Sequence, residues 1–166
     1  KPDDELSIAL KEGFLQRNFQ GYSTYADCDL VAIGVSSIGK IGSTYSQNER
    51  DIDAYYAALD AGHLPIMRGY QLNQDDILRR NIIQDLMCRF SLDYQIYESV
   101  FGIPFSRYFA AELEDMKQLE TLGLVRLKPH SLTVTPKGRF LIRNIAMVFD
   151  YHLRHKETKA KYSQTV

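Results

Sequence analysis

Residues 18–48, NFQGYSTYADCDLVAIGVSSIGKIGSTYSQN, constrain this chain more than any other stretch, because a dense apolar run is set there among glycines and tyrosines. The run DLVAIGV at 29–35 reads as a strand of the kind buried on both faces. Gly34, Gly39 and Gly42 lie in or after it, and glycine lets backbone turn tightly or come close to a partner. Two readings stand side by side. The strand and its glycine-bearing turn present backbone groups to a ligand, or the strand is ordinary core and its glycines serve only the turns.

The flanking sequence is punctuated by helix signals. Leu6, Ile8, Ala9, Leu10, Phe14 and Leu15 predict a helix over 2–16, with Asp3, Asp4 and Glu5 at its positive N-terminal end and Gly13 weakening its last turn. Ile52, Tyr55, Tyr56 and Leu59 predict a helix within 46–62 that Gly62 stops, and the two tyrosines suit packing better than ligand contact. PIMRGYQL at 65–72 reads as a short strand, in which Arg68 suits a ligand carboxylate or a neighbouring acidic side chain equally.

A second helical series starts at Asn73, a capping residue followed by Asp75 and Asp76, and Ile77, Leu78, Ile82, Ile83, Leu86, Met87 and Phe90 form one broad face. Pairing of Arg79 and Arg80 with Asp75, Asp76 or Asp85 explains these arginines more cheaply than carboxylates of a ligand do. Residues 92–101 predict a shorter helix ended by Gly102, with Pro104 ahead of the next. Residues 106–122 predict a third, with Tyr108, Phe109, Leu113, Met116, Leu119 and Leu122 inward. Residues 123–127 and 131–135, joined by Lys128-Pro129-His130, read as a two-stranded hairpin. A last helix over 138–154 packs Phe140, Leu141, Ile145, Val148, Phe149 and Leu153, and the basic tail HKETKAKYSQTV is expected to be loose at its end. Three helices, a hairpin and a following helix make a winged-helix-like arrangement, and the fold class is α+β.

That arrangement raises DNA binding, and charge argues against it. The helix at 106–122 sets Glu112, Glu114, Asp115 and Glu120 against Arg107 and Lys117 where phosphates must be approached, and the whole chain carries a net charge of −1. No nucleic-acid partner is expected; a cap or partner-binding role for the helical part remains open. No apolar run approaches the roughly 18 residues a membrane helix needs, and the opening KPDDELSIAL is acidic where a secretory leader is basic. The expected location is the cytoplasm, with no membrane partner. Cys28 and Cys88 suggest reduced, partly buried thiols and no disulfide framework. Among His63, His130, His152 and His155 only the last two are spaced to act together, and their basic surroundings favour solvent or an anion over a metal. No catalytic residue and no metal site is assigned.

NFQGYST at 18–24, Asp29-Leu30, GVSSI at 34–38 and YSQN at 45–48 resemble the oxygen-independent coproporphyrinogen III oxidases, the radical S-adenosylmethionine (SAM) enzymes of haem synthesis. The likeness continues through Arg68-Gly69, Asp75-Asp76, Arg79-Arg80, Leu92-Asp93-Tyr94, Tyr108-Phe109 and VTPKGRFLIRNIAMVFD at 134–150. It implies that residues 1–72 are the C-terminal portion of a radical-SAM α/β barrel domain and 73–166 a winged-helix-like C-terminal domain capping the active site. It implies coproporphyrinogen III as substrate, SAM and a [4Fe–4S] cluster as cofactors, and an electron donor that it does not specify. By resemblance Phe19, Gln20 and Ile38 face SAM: Phe19 and Ile38 through apolar packing, Gln20 through an amide that both donates and accepts. The cluster's Cys-x-x-x-Cys-x-x-Cys loop is absent, and a chain beginning at Lys1 reads as a piece whose partner is the N-terminal catalytic part of the same protein. A departure is Gly39, where the family more often has serine, which leaves the local turn freer and removes one possible hydroxyl contact. A haem chaperone of the same superfamily shares a similar core, but the NFQGY run and the long C-terminal helix resemble the oxidase more.

Overall fold

Asp4 starts the first element: its carboxylate accepts from the backbone N–H groups of Leu6 (3.0 Å) and Ser7 (3.3 Å), and α1 (Glu5–Glu12) runs until Gly13, left-handed at φ 80°, ends it. The computed structural model describes residues 1–25 and 28–155, in two units, Lys1–Ile77 and Leu78–Val166. The tail from residue 156 onward lies outside the described residues.

In the first unit β1 (Gln16–Asn18) and β2 (Gly21–Ser23) form a hairpin with Phe19 and Gln20 at its turn. Then β3 (Ile38–Ile41), β4 (Thr44–Asn48) and β5 (Ile66–Gln71) make an antiparallel sheet in that order, with α2 (Ile52–Asp60) between β4 and β5. The strand expected at 65–72 is β5, whereas the helix expected within 46–62 begins only after Asp51, which caps α2. Few of this unit's described side chains are buried; Ala9, Leu15, Asn48, Pro65 and Asp76 are.

The expected strand at 29–35 does not form. Leu30 makes one antiparallel bridge with Lys40, and the next backbone groups are taken by side chains instead of a ladder. The Gly34 N–H donates to the Tyr55 hydroxyl (3.1 Å), the Gly34 carbonyl accepts from Asn48 Nδ2 (2.9 Å), and the Ile33 carbonyl accepts from Ser37 Oγ (2.7 Å). With positive φ at Gly34 (101°) and Ser36 (63°), extended geometry is lost, and Val31 and Ile33 stand 70% and 83% exposed. Gly39 is corrected too. It sits in β3 opposite Ser46, not in a turn, and a Cβ there would come within 3.0 Å of the Leu30 carbonyl oxygen, so glycine lets this segment close on the sheet.

The helix begun at Asn73, α3 (Gln74–Arg89), starts in the first unit and continues into the second, where β6 (Ser91–Asp93) and α4 (Tyr94–Phe101) follow. Its start is a reciprocal cap, Asn73 Oδ1 accepting from the Asp76 N–H (2.9 Å) and Asp76 Oδ2 from the Asn73 N–H (3.1 Å). Next come α5 (Phe105–Tyr108), α6 (Ala110–Thr121), β7 (Val125–Lys128) and β8 (Ser131–Val134). The three strands form an antiparallel sheet in the order β6-β8-β7. Leu78, Ile82 and Leu86 of α3 are buried along with a chain of aromatic contacts: Tyr94 stacks on Phe105 at 4.2 Å, Phe105 meets Phe109 at 4.7 Å, and Phe109 meets Phe149 at 5.5 Å.

Two helices predicted as continuous are broken. The one at 106–122 splits at Phe109 (φ −102°, ψ 30°), whose ring is fully buried, and Tyr108 and Leu122 turn outward. The one at 138–154 divides into α7 (Pro136–Arg139), α8 (Ile142–Met147) and α9 (Tyr151–Arg154). Gly138 causes part of this: a Cβ there would overlap the Leu124 carbonyl oxygen, so the first turn is pressed against backbone. Ile145 and Phe149 are buried as expected, while Phe140, 91% exposed, Leu141 and Leu153 are outward. Arg79 reaches the buried Glu112 (2.8 Å) and the Phe149 carbonyl (3.2 Å), a site the sequence did not suggest. Arg80 forms none of its expected pairs among the described residues. Cys88 is buried and Cys28, expected to be partly buried, is exposed.

Candidate functional site

Side chains opposite one another in an antiparallel sheet share a face. The register pairs Ile38 with Gln47 and Lys40 with Tyr45 between β3 and β4, and Tyr45 with Tyr70 and Gln47 with Arg68 between β4 and β5. Ile38, Lys40, Tyr45, Gln47, Arg68 and Tyr70 therefore lie on one face. Phe19, from the turn of the β1-β2 hairpin and 58% exposed, sets its ring edge-on to Tyr45 at 5.6 Å. Two of the residues singled out from sequence, Phe19 and Ile38, thus belong to one surface. Gln20 is in the same turn, its backbone N–H held by Asn18 Oδ1 (2.8 Å) and its side chain exposed.

The face combines aromatic rings with cations. Arg68 donates from Nε (3.0 Å) and Nη2 (2.6 Å) to Gln47 Oε1, an amide oxygen in place of the carboxylate the sequence suggested. Gln47 is fixed in turn by donating from Nε2 to the Ser36 carbonyl (3.2 Å), and Arg50 Nη2 approaches the same Oε1 at 3.4 Å. Tyr70 donates its hydroxyl to Asp76 Oδ2 (3.0 Å), and this hydrogen bond to a carboxylate raises the phenol above its ordinary pKa. Such a surface can stack a planar group and hold an anion beside it.

Sequence reasoning missed Lys40, Tyr45, Gln47 and Arg50. The signal was present in the alternation I-G-K-I and T-Y-S-Q-N around Gly42, which marks a hairpin once period two is sought there. Among the described residues no group of three or more His, Cys, Asp or Glu is placed to hold a metal ion. His155 instead stacks on Tyr151 at 4.0 Å. Among the same residues no helix is long and apolar enough to cross a membrane.

Residues 72–141 match the family model described as HemN C-terminal domain. The chain is 45% identical over 170 residues to the oxygen-independent coproporphyrinogen III oxidase of Synechocystis sp., covering 100% of this chain and 36% of that protein. It is 49% identical over 152 residues to the enzyme of the same name from Pseudomonas aeruginosa, covering 92% of this chain and 33% of that protein. The chain thus spans about a third of the length of these curated relatives. A solved structure, described as "Coproporphyrinogen III oxidase (HemN) from Escherichia coli is a Radical SAM enzyme", superposes with a TM-score of 0.88 at 45% identity, over 92% of this chain and 35% of that chain.

Proposed function

Because this chain belongs to the oxygen-independent coproporphyrinogen III oxidase family, we propose that it forms the C-terminal part of such an enzyme, residues 1–72 completing a radical-SAM α/β barrel and 73–166 a winged-helix-like cap. The complete enzyme, in the cytoplasm, oxidatively decarboxylates two propionates of coproporphyrinogen III to vinyl groups, giving protoporphyrinogen IX. The observation that carries this reading is the 45% identity to an oxidase over the whole of this chain. The order helix, short strand, helix, helix and hairpin, with the sheet order β6-β8-β7, supports the winged-helix-like reading of the second part.

Phe19 and Gln20 at the β1-β2 turn and Ile38 on β3 fit SAM. Phe19 and Ile38 offer apolar surface to an adenine or a methylthio chain, and the exposed Gln20 amide can donate to and accept from polar groups of the same ligand. The residues do not fit a [4Fe–4S] cluster: Cys28 and Cys88 lie in different units, one exposed and one buried, and a cluster needs a set of thiolates. Its ligands belong to the N-terminal part of the enzyme. Held there, the cluster together with SAM would supply the radical chemistry needed to take hydrogen from a propionate side chain. This chain contributes binding and enclosure, since a water-poor site keeps such chemistry on the intended carbon.

A nucleic-acid role is disfavoured by the charges on α6. Glu112 is spent on Arg79, Asp115 on Arg154 (2.6 Å) and Glu114 on Lys117 (2.6 Å), which leaves no basic face there for phosphates. The test is Gln20→Ala and Ile38→Ala in the complete enzyme. Each lowers turnover roughly tenfold, the worth of about one good polar or apolar contact, with little change in melting temperature. Unchanged turnover in both removes these residues from the site.

A further inference from the structure

Arg50 and Arg68 converge on a single neutral oxygen. Gln47 Oε1 accepts from Arg68 Nε (3.0 Å) and Nη2 (2.6 Å) and from Arg50 Nη2 (3.4 Å), so two guanidinium groups are gathered around an amide that cannot neutralise either. Neither meets a carboxylate among the described residues, whereas Arg79, Arg89, Lys117 and Arg154 there each do. Bringing like charges together without a counter-charge is unfavourable unless an anion completes the group. Gln47 is not free to swing away, because its Nε2 donates to the Ser36 carbonyl (3.2 Å). Arg68 also stands next to the aromatic part of the face, with Tyr45 and Tyr70 one register step along the sheet and Phe19 on Tyr45. A third cation, Lys40, is paired across the strands with Tyr45.

From this geometry we infer that Arg50 and Arg68, oriented by Gln47, bind a carboxylate of an anionic ligand with a large unsaturated body, and that the ligand is the tetrapyrrole substrate, held by one of its propionates. The assignment rests on the oxidase reading above and names the residues by which this chain reaches the substrate. Arg68 spends one edge of its guanidinium on Gln47, leaving Nη1 for a carboxylate oxygen, and Arg50 supplies the second donor. SAM also carries a carboxylate, so the test must separate the two sources.

The experiment is equilibrium binding to the complete enzyme, wild type and the double variant R50Q/R68Q, using coproporphyrin III as an air-stable probe with the same propionates, its methyl ester, and SAM. R50Q/R68Q weakens coproporphyrin III binding about tenfold or more, leaves the SAM Kd unchanged, and binds the methyl ester as the wild type does. R50K/R68K, which keeps the charges and loses the planar fork, falls between. An unchanged coproporphyrin III Kd in R50Q/R68Q overturns the inference. So does a raised SAM Kd with porphyrin binding intact, which gives the pair to the SAM carboxylate. Wild-type enzyme that binds neither probe overturns the oxidase reading itself, and the inference with it.

Discussion

The two units bury their sequence differently. In Leu78–Val166, Phe105, Phe109 and Phe149 are fully enclosed, Phe109 touching both others, with Met116, Ile145 and Leu132 equally hidden. In Lys1–Ile77 the buried polar side chain of Asn48 organises the loop before β3, while Val31, Ile33, Tyr25 and Leu64 are exposed. One unit is held by apolar packing, the other by hydrogen bonds between side chains and backbone. The difference shows in what each unit leaves on its surface: the unit with less core carries the aromatic and cationic face, and exposed apolar groups are what a surface that meets a ligand or further protein offers.

The contrast can be broken by substitution. Phe109→Ala in the second unit lowers unfolding free energy by about 3–5 kcal/mol, measured by urea denaturation, because the ring is fully buried between Phe105 and Phe149. Asn48→Ala in the first unit costs about 1–3 kcal/mol and exposes the loop at 30–36 to proteolysis, because the Gly34 carbonyl loses its donor.

Alkaline titration sharpens the same contrast. Burial pushes the Tyr94 phenol up to about 12, and burial together with the hydrogen bond to Asp85 raises Tyr97 further. A phenol with a raised pKa favours the folded state fully below its unfolded pKa, near 10, and that stabilisation is lost as pH climbs through the folded value. Thermal melts of the second unit therefore decline between pH 10 and about 12. Tyr94→Phe makes that decline shallower, and the part due to Tyr97 remains. The smallest effect belongs to Ile33→Ser, which stays within about 0.5 kcal/mol, since its side chain is already in water.

The second unit was the more legible in sequence. The Gly102 stop and the hairpin at 125–134 follow from local chemistry that tertiary structure left in place, as does the Asn73 cap at the end of the first unit. The breaks at Phe109 and after Arg139 were not legible, because they arise from packing, of a ring in one case and of Gly138 against Leu124 in the other. The run at 29–35 misled for a related reason. Apolar composition says that a segment can be covered and does not say by what, and here its carbonyls went to Asn48 and Ser37. Phe19, Gln20 and Ile38 came from family resemblance alone. The face that joins Phe19 and Ile38 to Lys40, Tyr45, Gln47 and Arg68 required the strand register, which no single residue announces.

The most direct test of the central claim is the intact mass of the native polypeptide, captured from its source cells with an antibody raised against this chain. The account predicts a product far heavier than 19.1 kDa, near the length of relatives of which this chain covers about a third (36%), with the cluster-binding part joined to it. A native product close to 19.1 kDa would contradict it and leave the aromatic and cationic face to a binding or regulatory role of its own.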